Sequence, residues 1–222
     1  MDAAVGRPSR RADALSRERI IAAAITILDT EGERALTFRT LAATLATGPG
    51  AIYWHVANKK ELLAAATDAL VAEATGAGPT RATPHERIRR VALGLFDTID
   101  AHPWIGSQLS QEPWQLASMR IVEALGRPLD DLEVPAERHF HVVTALASYV
   151  LGAAAQNAAN ARHAPRDTDR DTALSAIARQ WAELDEAEFP FVRRIAAQLP
   201  GHDDREQFLA GIDLVLGGIT RE

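Results

Sequence analysis

An all-α fold is predicted for this 222-residue chain. Apolar residues recur at three- and four-residue spacing along nearly its whole length, and alternation with period two is absent. Alanine is abundant, and clusters of Gly, Pro, Thr and Asn cut the periodic runs into helix-sized pieces. The expected architecture is a set of short N-terminal helices followed by a larger C-terminal helical part.

Residues 1–14 are polar and Arg-rich and read as a flexible basic arm. Ser16 then suits an N-cap, because its short side chain can accept from an otherwise orphaned N–H. Ile21, Ile25 and Leu28 form the stripe of helix 1, which ends at Gly32. Thr37 caps a second helix running to about Leu45, with Leu41 and Leu45 facing inward. Ala46-Thr47-Gly48-Pro49-Gly50 breaks it, and a third short helix runs from about Pro49 to His55, with proline tolerated in its first turn. Asn58 caps a fourth helix, with Glu61 placed to complete a capping box and Leu62, Ala66 and Leu70 along one face. Thr75 to Thr83 is rich in Gly, Thr and Pro and marks a boundary, so residues 15–75 and 76–222 read as two domains. Further helices are expected near 84–101, 104–111, 113–126, 135–162, 169–185, 189–198 and 203–219, with a loop over 164–171.

Composition excludes several chemistries. The chain has no cysteine, which removes disulfides, zinc–thiolate sites, iron–sulfur ligation and thiol nucleophiles. The N-terminus has no apolar core of a signal peptide. The most apolar stretch, Val142 to Ala155, is interrupted by Thr144 and Ser148 and falls short of the ~20 residues of a membrane span, so a soluble cytoplasmic protein without membrane contact is expected. Nucleotide-binding glycine motifs, G-x-S-x-G and H-E-x-x-H are all absent, and His85-Glu86 lacks a second histidine four residues after the first. No enzyme activity, metal or cofactor is expected. Charge is unevenly divided: residues 1–61 hold 9 Lys and Arg against 7 Asp and Glu, whereas the rest holds 15 against 23. A basic end on an acidic body suits an anion-binding head.

The unit Thr37 to His55 is two short helices around a glycine-bearing turn, with longer helices on either side, which is a helix-turn-helix. Leu41, Leu45 and Ile52 would pack the first helix across the second. The second is then free to enter a major groove ~12 Å wide, its positive end favouring phosphate. Tyr53 and Trp54 cannot both point inward from so short a helix.

Residues 15–75 resemble the TetR (tetracycline-repressor) family of bacterial transcription regulators. The resemblance is carried by Glu31-Gly32, Ala35-Leu36-Thr37 and Leu41-Ala42, and it peaks in Ile52-Tyr53-Trp54-His55-Val56 followed by Asn58-Lys59-Lys60-Glu61-Leu62-Leu63. Ala101-His102-Pro103-Trp104 and the closing Phe208 to Ile219 helix are similar, more loosely, to the family's C-terminal half. The resemblance implies that Thr37, Arg39, Thr40 and the stretch Thr47, Gly48, Pro49, Gly50, Ala51 face bases or the groove wall. It also implies that Tyr53, Trp54, His55 and Lys59 hold the phosphate backbone. His55 reads equally as a cap. Arg39 could grip guanine O6 and N7. Gly48-Pro49-Gly50 departs from the more polar residues of the tetracycline repressors and supplies no side-chain donor, so reading must lean on Arg39, Thr40, Thr47, apolar contacts and DNA shape. Arg7, Arg10 and Arg11 of the arm could reach a minor groove.

In the C-terminal half, Val143, Ala147, Val150, Ala154 and Ala158 on the long helix, and Phe208, Ile212, Val215 and Ile219 on the last, form two apolar stripes. Together with the resemblance they lead us to expect a twofold homodimer through a four-helix bundle, reading a palindromic DNA operator. Phe96, His102, Trp104, Trp114, Met119, His139, His141 and Tyr149 are together the expected lining of an apolar effector pocket, while each taken singly reads more readily as ordinary core packing. Two residues apart on a helix, His139 and His141 project to nearly opposite faces and cannot share a metal. Val91, Ala92 and Leu95 take the place of the polar ligands that tetracycline repressors use, so tetracycline is not expected. By resemblance, a small apolar or amphipathic effector releases the repressor from DNA. The alternative is a relative that has lost sequence reading and serves as a protein-interaction module.

Overall fold

A computed structural model describes residues 15–76, 78, 81–163 and 169–219. The arm with Arg7, Arg10 and Arg11, and most of the expected loop at 164–171, lie outside them. Among the described residues the helices are α1 (Arg17–Glu31), α2 (Phe38–Thr44), α3 (Pro49–Tyr53), α4 (Lys59–Thr75), α5 (Pro84–Ala101), α6 (Trp104–Gln111), α7 (Leu116–Asp130), α8 (Ala136–His163), α9 (Arg170–Ala182), α10 (Pro190–Ile195) and α11 (Asp204–Ile219). No strand occurs among these residues.

Start and stop signals act where the sequence places them. Ser16 and Thr37 accept from the amides of Arg19 and Thr40, and Gly32 ends α1 at φ 80°, its N–H bonded to the Leu28 carbonyl. Asn58 accepts from Glu61 N at 2.8 Å, but the Glu61 carboxylate reaches back to Ala57 N, one residue short of a capping box. A full capping box forms instead at Thr83 and Glu86, before α5.

The buried face of α1 is Ile20, Ala24, Ile27 and Leu28, rotated from the expected Ile21, Ile25 and Leu28 stripe, because α4 and α2 pack on that side. α7 begins later than expected and runs past Gly126 to Asp130. Leu125 and Leu129 are sealed in the core, and Pro128 removes one hydrogen bond near the helix end, where that loss matters least. α10 is shorter than expected and continues as a 3-10 turn over Ala196–Gln198.

The helices enclose two hydrophobic cores. The head core gathers α1, α2, α3 and the first half of α4, around Ile20, Leu28, Leu41, Ile52 and Leu62. The larger core surrounds α5, which packs against α4, α7, α8 and α11 and buries Ile88, Val91, Ala92, Leu95, Phe96 and Ile99. Each large side chain so buried contributes about 1.5–3 kcal/mol. α4 belongs to both, with Leu62, Leu63 and Ala66 in the head and Val71 in the core.

Two expectations change here. The stripe assigned to a second copy is turned inward. Val143, Val150, Ala154, Ala158, Phe208, Ile212 and Ile219 are buried in this chain's own core, with Ala147 and Val215 packed against it. The buried ones meet other helices of the same chain, α5 among them, and cannot also be the surface another molecule covers, whereas Ala147 and Val215 are half-buried. The outward faces are Gly152 and Gln156 on α8 and Leu214, Gly217 and Gly218 on α11. Further, an 18-residue stretch of α8 within Ala136–Ala161 reaches a mean hydropathy of 1.3, and the helix is long and apolar enough by composition to cross a membrane. The sequence reading took only its apolar centre. Its Val142, Leu146 and Val150 row is core packing.

Candidate nucleic-acid interface

α2 and α3 are held together by few residues. Leu41 and Ile52 are fully buried, and Phe38 stacks on Tyr53 with ring centroids 4.3 Å apart and planes 3° from parallel. The turn between the helices is a Schellman motif. Thr47 N bonds Ala42 O at 2.9 Å, Ala46 N bonds Ala43 O at 3.2 Å, and Ala46 between them sits at φ 50°. Glycine would adopt that left-handed conformation without the Cβ conflict alanine carries.

The consequence is a ridge of outward residues. Arg39, Gly48, Pro49 and Gly50 are exposed, Thr40, Thr47 and Ala51 are half-buried, and Thr37 and Thr40 share a hydroxyl contact of 2.9 Å. Arg39 has no partner among the described residues, so its guanidinium is available to an incoming acceptor. Tyr53 is 54% exposed and Trp54 91%, so neither is a core aromatic. His55 is half-buried at the end of α3, its backbone N–H bonded to Ile52 O. α3 has only five residues and Gly48 gives it no side-chain cap. Its dipole is correspondingly short, and contacts to DNA must come from side chains more than from a helix end.

Lys59 is not a free cation. Its Nζ donates to the Glu33 carbonyl at 2.6 Å and stands 3.6 Å from the Glu33 carboxylate. Glu33 and Phe38 were missed by sequence reading. Phe38 carried the signal of an aromatic at the first position of a helix, but Glu33 lies 26 residues from its partner and carried none.

The eight residues expected to line one pocket are scattered. Phe96 is buried against Phe208, and Tyr149 donates its hydroxyl to Phe208 O at 3.0 Å while stacking on that ring. Desolvation pushes the Tyr149 phenol above its usual value of 10.0. His102 and Trp104 turn toward α1 and bond Asp29. Trp114 is 86% and Met119 56% exposed, and His141 is exposed. His139 reaches the Val134 carbonyl. Two open clefts indent the helical surface. One, of about 380 Å³, lies between α4 and α5 and holds His102; the other, of about 340 Å³, lies between α7 and α8 and holds His139.

Comparison with known proteins now completes the assignment. Residues 20–66 match the family described as bacterial regulatory proteins, tetR family, and residues 79–222 match the tetracyclin repressor-like C-terminal domain. The solved structure of SCO7222, a TetR transcriptional regulator from Streptomyces coelicolor, is 52% identical with a TM-score of 0.86, covering 93% of this chain and 98% of that one. The transcriptional repressor DrrR1 of Streptomyces coeruleorubidus is 30% identical over 204 residues, which is 86% of this chain and 68% of that protein. An HTH-type transcriptional regulator of Saccharopolyspora erythraea is 32% identical over 109 residues, 48% of this chain, and the chain spans only 45% of its length. With a helix-turn-helix head and a helical C-terminal core each matched in its own right, the chain belongs to the TetR family of bacterial regulatory proteins.

Proposed function

We propose that this protein is a transcriptional repressor that binds a palindromic DNA operator as a homodimer and is released by a small apolar or amphipathic effector. The observation that carries the reading is the ridge on α2 and α3. Trp54 at 91% exposure, Tyr53, and an Arg39 without a partner among the described residues stand outward from two helices pinned by buried Leu41 and Ile52. Folding alone gives no reason to expose such side chains together; a negatively charged duplex does. Tyr53, Trp54, His55 and Lys59 hold phosphates, and Thr37, Arg39, Thr40 and residues 47–51 meet the groove. Lys59 must exchange Glu33 for phosphate as it engages.

Dimerisation uses the outward faces of α8 and α11 and sets two heads one helical turn apart, about 34–36 Å. The repressor sense is supported by the transcriptional repressor DrrR1, which is similar over most of this chain. The effector must prefer the state with heads off the operator, and by linkage it binds the DNA-bound protein more weakly by the same factor.

The test is binding to duplexes flanking the gene, across a salt series. Lys59→Ala and Tyr53→Ala are expected to weaken all binding about tenfold, and Lys59→Ala to reduce the salt slope by roughly one phosphate contact. A protein-interaction module, which the donor-free Gly48-Pro49-Gly50 turn would suit, shows no such slope and no dependence on either residue.

A further inference from the structure

Trp104 packs against both hydrophobic cores. Its indole Nε1 donates to Asp29 Oδ1 at 2.8 Å, and His102 Nδ1 lies 2.8 and 3.0 Å from the two carboxylate oxygens of the same residue. The local chain explains why both rings arrive together. His102 caps α5 with its N–H on Thr98 O, Pro103 fixes the bend, and Trp104 opens α6, which sets the two rings edge to face at 6.4 Å. The carboxylate comes from the last turn of α1, a poor place for an anion, because the helix dipole is negative there and no basic residue of that turn offsets it. α1 gains nothing by itself from Asp29.

We propose that Asp29 is the positioning residue that ties the DNA-reading head to the C-terminal core, a tie that rests on the DNA-binding reading above only for its consequence and not for its existence. A shift of the α5–α6 corner is delivered through His102 and Trp104 to Asp29, hence to α1, and through α1's packing on α2 to the reading helix. His102 also lines the cleft between α4 and α5, beside Leu70, Ala74 and Gly94. A molecule entering that cleft therefore meets the ring that holds Asp29. The α4–α5 crossing beneath it is tight, since a Cβ at Gly94 would stand 2.7 Å from the Ala74 carbonyl oxygen.

The chain's lack of cysteine allows a direct test. Nitroxides are placed at Ala43→Cys on α2 and Glu137→Cys on α8, both exposed, and the labelled chain is diluted in unlabelled protein so that only distances within one chain are read. Asp29→Ala is expected to widen the head-to-core distance distribution about twofold while the melting of the C-terminal core stays put. Asp29→Asn, whose amide oxygen still accepts from the indole, restores the narrow distribution. Trp104→Phe keeps an aromatic ring against both cores but removes the N–H, and it decides the matter should Asp29→Ala fail to fold. A distribution unchanged in Asp29→Ala, or equally broad in Asp29→Asn, overturns the proposal. No DNA enters this measurement, so a protein that binds no duplex would sink the repressor reading and leave this result standing.

Discussion

The head and the C-terminal core are built from the same element, yet they divide their residues differently. In the head, one or two side chains per short helix are fully buried, Leu41 and Ala42 in α2 and Ile52 alone in α3, and the remainder are half-buried or exposed. In the core, α5 seals six residues and touches five other helices. Stability and recognition are therefore carried by separate residues in the head, whereas in the core a single side chain often faces two neighbours at once. Mutations should show the contrast directly.

The largest effect is expected at Ile52. It is the sole buried residue of α3, so Ile52→Ala removes the anchor of the reading helix at a cost of about 3 kcal/mol. Because the head core is small, this loss should melt α1–α3 ahead of the rest, seen as a separate low-temperature transition in calorimetry. A single unsplit transition would mean that the two cores unfold as one unit.

That contrast also explains how much could be read beforehand. Caps and stops are local, so Ser16, Gly32, Thr37 and Asn58 announced the head helices within a residue or two, and the exposed ridge on α2 and α3 followed from the helix-turn-helix spacing. The start of α5 behind Thr83 and the bounds of α6, α8 and α11 were equally readable. Which face each long helix turns into its own core was not. An apolar stripe such as Val143, Val150 and Ala154 states that something covers it, and periodicity cannot say whether that is α5 of the same chain or another copy. The pocket residues failed for a related reason: His102 and Trp104 find their partner 73 and 75 residues away in α1, a pairing no local pattern records.

Within the core, Gly211 should give the next largest effect. A Cβ there would stand 1.9 Å from the Tyr149 hydroxyl and 2.2 Å from its Cζ. Gly211→Ala must push the ring from its stack on Phe208 and break its bond to Phe208 O, costing about 2 kcal/mol. Chemical denaturation should report that loss with DNA affinity per folded molecule unchanged. Loss of affinity beyond the unfolded fraction would show that α11 is coupled to the head.

The head offers a change of opposite sign. Ala46 occupies a left-handed position at φ 50° in the Schellman turn, so Ala46→Gly relieves the Cβ conflict and is expected to stabilise the head by about 0.5–1 kcal/mol. A raised melting point of the Ile52→Ala low-temperature transition in the double variant is the sensitive readout. No rise would mean that the entropy glycine adds to the unfolded chain offsets the relief.

The smallest effect separates the two regions' caps. Thr83 N–H donates to the Glu86 carboxylate at 2.8 Å and the Thr83 hydroxyl lies 2.9 Å from it, which together hold that carboxyl below its usual 4.5. A lowered pKa in the folded state means that the contribution is present above the unfolded value and is lost as pH falls through the folded one. The start of α5 should thus loosen under acid. Glu86 is fully exposed, so the change is local and leaves global unfolding almost untouched. The amide resonance of Thr83 should titrate with a midpoint below 4.5, and Glu86→Gln, which keeps a capping side chain without a titrating proton, should flatten it. In the head the Glu61 carboxylate bonds Ala57 N, so the amide that depends on it is Ala57, not the capping residue Asn58. If Glu61→Ala freed the Asn58 amide to exchange and left that of Ala57 protected, the head would carry the same box as the core, and the difference between their caps would disappear.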